Sequence, residues 1–94
     1  MTPEQATILL TMMKTDIGIK GTTAYDERFG QILLYSAEKI AQEGATLNME
    51  SAEDQQLVVM YASWTWRRRD TGEGMPRMLR YALNNRIMKE KANG

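Results

Sequence analysis

The chain has 94 residues, 43% of them hydrophobic and 26% charged, with twelve basic and twelve acidic side chains and neither cysteine nor histidine. That length accommodates one small domain, residues 1–94, with a thin core. The missing cysteine excludes disulfides and thiolate metal sites, and the missing histidine removes the commonest general base and metal ligand.

The charges are unevenly distributed. Met1 to Ser63 holds four basic and nine acidic residues, a net of −5, whereas Trp64 onward holds eight basic and three acidic, a net of +5. Such a split suits an anionic partner for the basic end, head-to-tail contact between copies, or simply solvated helix faces. No apolar run reaches the ~20 residues of a membrane helix, and the N-terminus lacks the basic-then-apolar layout of a signal peptide. A soluble, non-exported protein without a membrane partner is expected.

Thr2-Pro3-Glu4-Gln5 is a capping box with proline at the first helical position, so a helix is predicted to start there. Ala6, Leu9, Leu10 and Met13 form its apolar stripe, with Ile8 and Met12 elsewhere on its surface. The pattern stops at Ile17-Gly18-Ile19, and Lys20-Gly21-Thr22 is turn chemistry. Thr23, with Asp26 three residues on, predicts the next cap, and Tyr25, Phe29, Ile32, Leu33, Ser36 and Ile40 carry a narrow stripe as far as Glu43. Gly44 is the expected left-handed stop, and Leu47 and Met49 in the following loop are placed to tuck under the bundle.

Ser51 and Asp54 cap the longest helix, in which Arg67, Arg68 and Arg69 occupy the last turn and offset the helix dipole. At about 100° per residue, Leu57, Met60, Tyr61 and Trp64 share one face while Val59, Ala62 and Trp66 lie nearly opposite. A helix apolar on both sides is either the central rod of a bundle or is covered by a second subunit. Asp70 to Gly74 reads as a break, and Pro76 restarts a helix running to about Lys91. Its inner stripe is Met75, Met78, Leu79, Ala82 and Leu83, with Tyr81 and Met88 exposed and Ala92-Asn93-Gly94 fraying. With no strand alternation, the predicted fold is all-α: a compact antiparallel bundle of about four helices around a long central one. Its core is Leu57, Tyr61, Trp64, Phe29, Ile32, Leu33, Ile40, Leu79 and Leu83.

No catalytic, cofactor-binding or metal-binding residues are predicted, and the chain is not expected to be an enzyme. Asp26-Glu27 and Glu53-Asp54 sit at helix starts, where capping explains them. Gly72 and Gly74 lack the lysine-serine/threonine ending of a phosphate loop. The arginine triplet beside two tryptophans suggests nucleic-acid binding, but three successive helical residues span about 200° and cannot all meet one phosphate surface. Dipole compensation and ion pairing are the preferred reading. Trp64 and Trp66 diverge by the same angle, so Trp64 is assigned to the core and Trp66 to a subunit contact. Val59, Ala62, Tyr81 and Met88 complete that expected interface. Eight methionines, one the initiator, suit a surface that repacks against another chain.

Across nearly its whole length the chain resembles the small helical head-tail connector, or adaptor, proteins of tailed bacteriophages and prophages. The resemblance rests on Lys14 followed by Ile17-Gly18-Ile19, on Tyr25-Asp26 opening a helix with Ile32, Ala37 and Ile40, and on Leu57-Val58-Val59-Met60-Tyr61-Ala62 ending in Arg67-Arg68-Arg69. A last helix with Leu79, Leu83 and Arg86 completes it. It implies a structural virion protein, assembled in the host cytoplasm, that forms a homo-oligomeric ring, in that family usually a dodecamer in the particle. The ring would lie beneath the portal, meet tail-side connector proteins and surround the DNA channel. On that reading Arg77, Arg80 and Lys91 form a basic stripe facing an acidic surface of a neighbour or of the portal, or touching DNA non-specifically. The protein contact is preferred, because tight phosphate binding would impede passage. The competing class is a small nucleic-acid-binding regulator that reads bases with the helix from Pro76.

Overall fold

The computed structural model describes residues 1–19 and 21–93, which form four helices: α1 (Pro3–Ile17), α2 (Asp26–Gln42), α3 (Ala52–Thr71) and α4 (Arg77–Asn93). The described residues contain no strand, and the fold is the all-α bundle that the periodicity predicts. Lys20 of the first turn and the terminal Gly94 lie outside the described residues; Ala92 and Asn93, expected to fray, still belong to α4.

Local chemistry sets most helix ends. Thr2 Oγ1 accepts from the Gln5 N–H at 3.1 Å while Gln5 Oε1 accepts from the Thr2 N–H at 2.9 Å, closing the capping box of α1. Gly18 ends that helix at φ +80° and Gly72 ends α3 at φ +65°, a left-handed conformation that costs glycine almost nothing and other residues much more. At the α3 start, Ser51 Oγ accepts from the Asp54 N–H at 3.4 Å. Pro76 gives its carbonyl to the Arg80 N–H at 3.0 Å, opening α4.

Three boundaries differ from expectation. Thr23 does not cap α2 with its side chain; the residue before the helix is Tyr25, and only the Thr23 carbonyl receives the Asp26 N–H. The Asp26 carboxylate instead takes Lys14 Nζ at 2.9 Å, an ion pair joining the end of α1 to the start of α2. Glu43 caps α2 in a helical conformation, with Gly44 following at φ +119°. Asp70 and Thr71, expected in the break, remain helical because the chain turns only at Gly72.

The long helix α3 is the rod about which the others pack, in contact with α1, α2 and α4. Leu57, Val58, Val59, Tyr61, Ala62, Ser63 and Trp64 are all buried within a single chain. This settles the two-sided pattern and corrects the interface assignment. Val59 and Ala62 are 1% and 0% exposed, because α3 has neighbours on both of its apolar faces and needs no second subunit to cover them. Leu9, Met13, Phe29, Leu33, Ile40, Leu79 and Leu83 complete the core, each burial stabilising the fold by ~1.5–3 kcal/mol. Ile32, expected inside, is only half-buried at the core edge, as are Leu47 and Met49 under the bundle. Ala6 is exposed. Met78, assigned to the inner stripe, is 72% exposed: Leu79, Leu83 and Ile87 set the α4 seam, and Met78 falls about 100° away from Leu79. The Cα envelope measures 42 × 31 × 18 Å, and the short dimension corresponds to about two helix layers.

Candidate interaction surfaces

The geometry is clearest where α4 is fixed to α3. Asp54, in the first turn of α3, pairs with Arg86, in the second half of α4, with Arg86 Nε donating to Asp54 Oδ1 at 2.8 Å. At the opposite end Trp64 Nε1 donates to the Gly74 carbonyl at 3.1 Å, pinning the link that leads into α4. A pair early in α3 and late in α4, together with a pin late in α3 just before α4, describes an antiparallel helical hairpin.

The Asp54 end is a clasp built from several segments. Arg86 reaches Glu90 Oε1 at 3.1 Å and the Thr46 carbonyl at 2.6 Å, while Glu90 accepts the Thr46 N–H at 2.7 Å. Asp54 Oδ2 also accepts the Asn48 N–H at 2.8 Å, so the α2–α3 loop is tied to both helices. Burial alone would push the Asp54 carboxyl up, but the Arg86 guanidinium and the Asn48 N–H outweigh it and hold the group below its ordinary range. Glu90 is likewise held low, first by the Thr46 N–H and then by Arg86. Asp54 is only 2% exposed, and its charge is tolerated because each oxygen has a partner. The sequence marks Asp54 merely as a capping residue and Arg86 merely as one position of the family pattern. No local spacing rule joins residues 32 apart in the chain.

The tryptophans diverge as predicted, but both partners lie inside the chain. Trp64 is buried edge-to-face against Tyr61 with the Arg68 guanidinium 4.4 Å from its ring centroid. Trp66 is half-buried; it meets Phe29 edge-to-face at 4.8 Å and Tyr25 at 5.6 Å, and the Arg69 guanidinium covers it at 3.4 Å. Trp66, expected at a subunit contact, thus packs one side of its ring on Phe29 of α2 and on Tyr25 before it, and only its remaining surface is open. The arginine triplet separates as the geometry requires. Arg67 turns to Asp16 of α1 at 3.5 Å, Arg68 lies on the α2 side together with Arg28, a residue whose role no sequence motif marks, and Arg69 over Trp66 borders both sides.

The predicted basic stripe on α4 is not a single site. Arg80 pairs with Glu43 at 3.5 Å, whereas Arg77 and Lys91 form no ion pair among the described residues. Fourteen positions separate those two, about 21 Å along the helix, so no single anion touches both. Between them Tyr81 and Met88 are exposed as expected, at 56% and 67%, and Met78 joins them. A second apolar surface is an open cleft of about 620 Å³ where Met1, Leu34, Ala37, Ala41 and Leu47 flank Glu38. Among the described residues no group of carboxylates is placed to hold a metal, and no helix is long and apolar enough to cross a membrane. No family model, curated protein or solved structure matches the chain.

Proposed function

We propose that the chain is a structural subunit of a head-tail connector, building a homo-oligomeric ring beneath the portal that joins capsid to tail around the DNA channel. The supporting observation is the outer face of α4, where Met78, Tyr81 and Met88 project from one stripe that no other helix covers. An exposed apolar stripe on a helix whose opposite side is already packed fits a contact with another molecule. A second copy fits best as that molecule. The cleft at Leu34, Ala37 and Ala41 is apolar, bears Glu38, and belongs to the acidic part of the chain, whereas the α4 stripe is flanked by Arg77 and Lys91. Two different patches of opposite charge make a head-to-tail contact, which closes into a ring when the rotation per subunit divides the circle. The all-α bundle is compatible with this reading, and the portal and tail-side partners are what the resemblance of the sequence pattern to small connector proteins implies.

Electron microscopy of the concentrated protein tests the reading. Closed rings with a central opening are expected, together with weak, steeply salt-sensitive DNA binding. Tight, sequence-specific DNA binding by a monomer at physiological salt would overturn it in favour of a regulator.

A further inference from the structure

On the side of the molecule where α2 meets the last turns of α3, a cavity of about 410 Å³ is lined by Arg28, Arg68 and Arg69 together with Glu73. It continues through Arg28 and Arg68 into a second depression of about 300 Å³ that adds Gln31 and Tyr35. Among the described residues neither Arg28 nor Arg68 forms an ion pair, and Arg69 pairs only with Asp70, at 3.4 Å, while also donating to the Trp66 carbonyl. The fold therefore brings three guanidiniums from two helices to one concave surface without supplying enough carboxylates to neutralise them. Arg68 and Arg69 are stacked on Trp64 and Trp66 and thereby held in place, so little side-chain freedom remains to be lost when a planar oxyanion arrives.

We propose that this trough binds an acidic segment of another polypeptide, one of whose carboxylates is gripped by Arg28 and Arg68. A nucleic acid fits it less well. Both indole faces on this side carry a guanidinium, which leaves neither tryptophan free for base stacking. Glu73 in the lining and Asp70 beside it repel a continuous polyanion, whereas a single carboxylate on a neutral backbone avoids them. The length of the trough, with Tyr35 and the Gln31 amide beyond the arginines, suits several extended residues rather than a free ion. The site stands on its own geometry and holds whether or not the chain forms a ring.

The test is titration of the intact protein with the capped peptide acetyl-Ala-Leu-Glu-Ala-amide, which carries one carboxylate on a neutral backbone, followed by NMR of the Trp66 indole N–H and the arginine Nε–H signals. Saturable shifts of these signals are expected. Arg28→Glu, at an exposed residue with no ion-pair partner among the described residues, should weaken binding by about tenfold or more, and Arg28→Lys by less, because it keeps the charge but loses the fork. The proposal fails if the peptide shifts none of these signals, or if Arg28→Glu binds as the wild type does. It fails equally if an oligothymidylate binds this trough more tightly than the peptide.

Discussion

Two regions of this small bundle are held by different physics. The body formed by α1, α2 and α3 is closed by apolar contact: Leu9 and Met13 from α1 and Phe29, Leu33 and Ile40 from α2 surround the buried middle of α3. Helix α4 packs principally on α3 alone, through Leu79 and Leu83, and is secured at its two ends by polar devices, the Trp64 pin and the Asp54–Arg86 clasp. The body is thus specified by burial, which is non-directional, whereas the placement of α4 is specified by hydrogen bonds, which fix direction and register. The helix with the smaller apolar seam is also the one whose outer face is left uncovered.

The largest effect is expected where the two regions meet. Trp64→Ala removes a buried aromatic from α3 and the pin on the α3–α4 link together, and should lower stability by ~3–5 kcal/mol in urea unfolding followed by circular dichroism. Next comes the clasp. Arg86→Met leaves the Asp54 carboxylate buried without its charge partner and should cost about 3 kcal/mol. Hydrogen exchange should place that loss in α4 and the residue 44–51 loop, with α1 and α2 amides little changed. Uniform acceleration across all four helices would show that α4 is no separate unit. The same clasp sets a pH dependence. Asp54 and Glu90 are held below their ordinary values, so their contribution is fully present above about pH 5 and is lost as the pH falls through their lowered folded-state values. In Arg86→Met the acid-induced decline should be shallower.

Much of this was legible in the sequence, and what was missed shares a cause. Capping chemistry and stripe periodicity are local, and they located all four helices and eight of the buried core residues, Phe29, Leu33, Ile40, Leu57, Tyr61, Trp64, Leu79 and Leu83. Contacts between segments far apart in the chain are not local. Asp54 has the composition of a cap and the role of a buried ion-pair partner; Trp66 has the position of an outward-facing residue and the role of a lid over Phe29. Val59 and Ala62 show the same limit, since a two-sided helix does not reveal whether its second cover comes from its own chain. Of the interface expected from sequence, Tyr81 and Met88 remain exposed, joined by Met78.

Trp66→Ala refines the body side of the comparison. Because Trp66 packs against Phe29 and Tyr25, the substitution should destabilise the monomer by ~2–3 kcal/mol, a moderate value that reflects a half-buried ring. A variant as stable as the wild type would return Trp66 to the subunit contact. The smallest effect concerns Ser63, whose hydroxyl is buried with no hydrogen-bond partner among the described residues. Ser63→Ala should leave stability unchanged or raise it by up to about 1 kcal/mol in the same urea titration, since it removes a desolvated polar group without opening a large cavity.

The most direct test of the central claim, that α4 offers its outer face to another copy, is sedimentation velocity on the wild type and on a Met78→Ser, Tyr81→Ser, Met88→Ser triple variant over a range of concentrations. The wild type should show a concentration-dependent species of discrete multiple mass, while the variant stays monomeric with an unchanged helical spectrum, because none of the three side chains belongs to the core. A wild type that remains monomeric at every concentration, or a variant that assembles as the wild type does, would contradict the account.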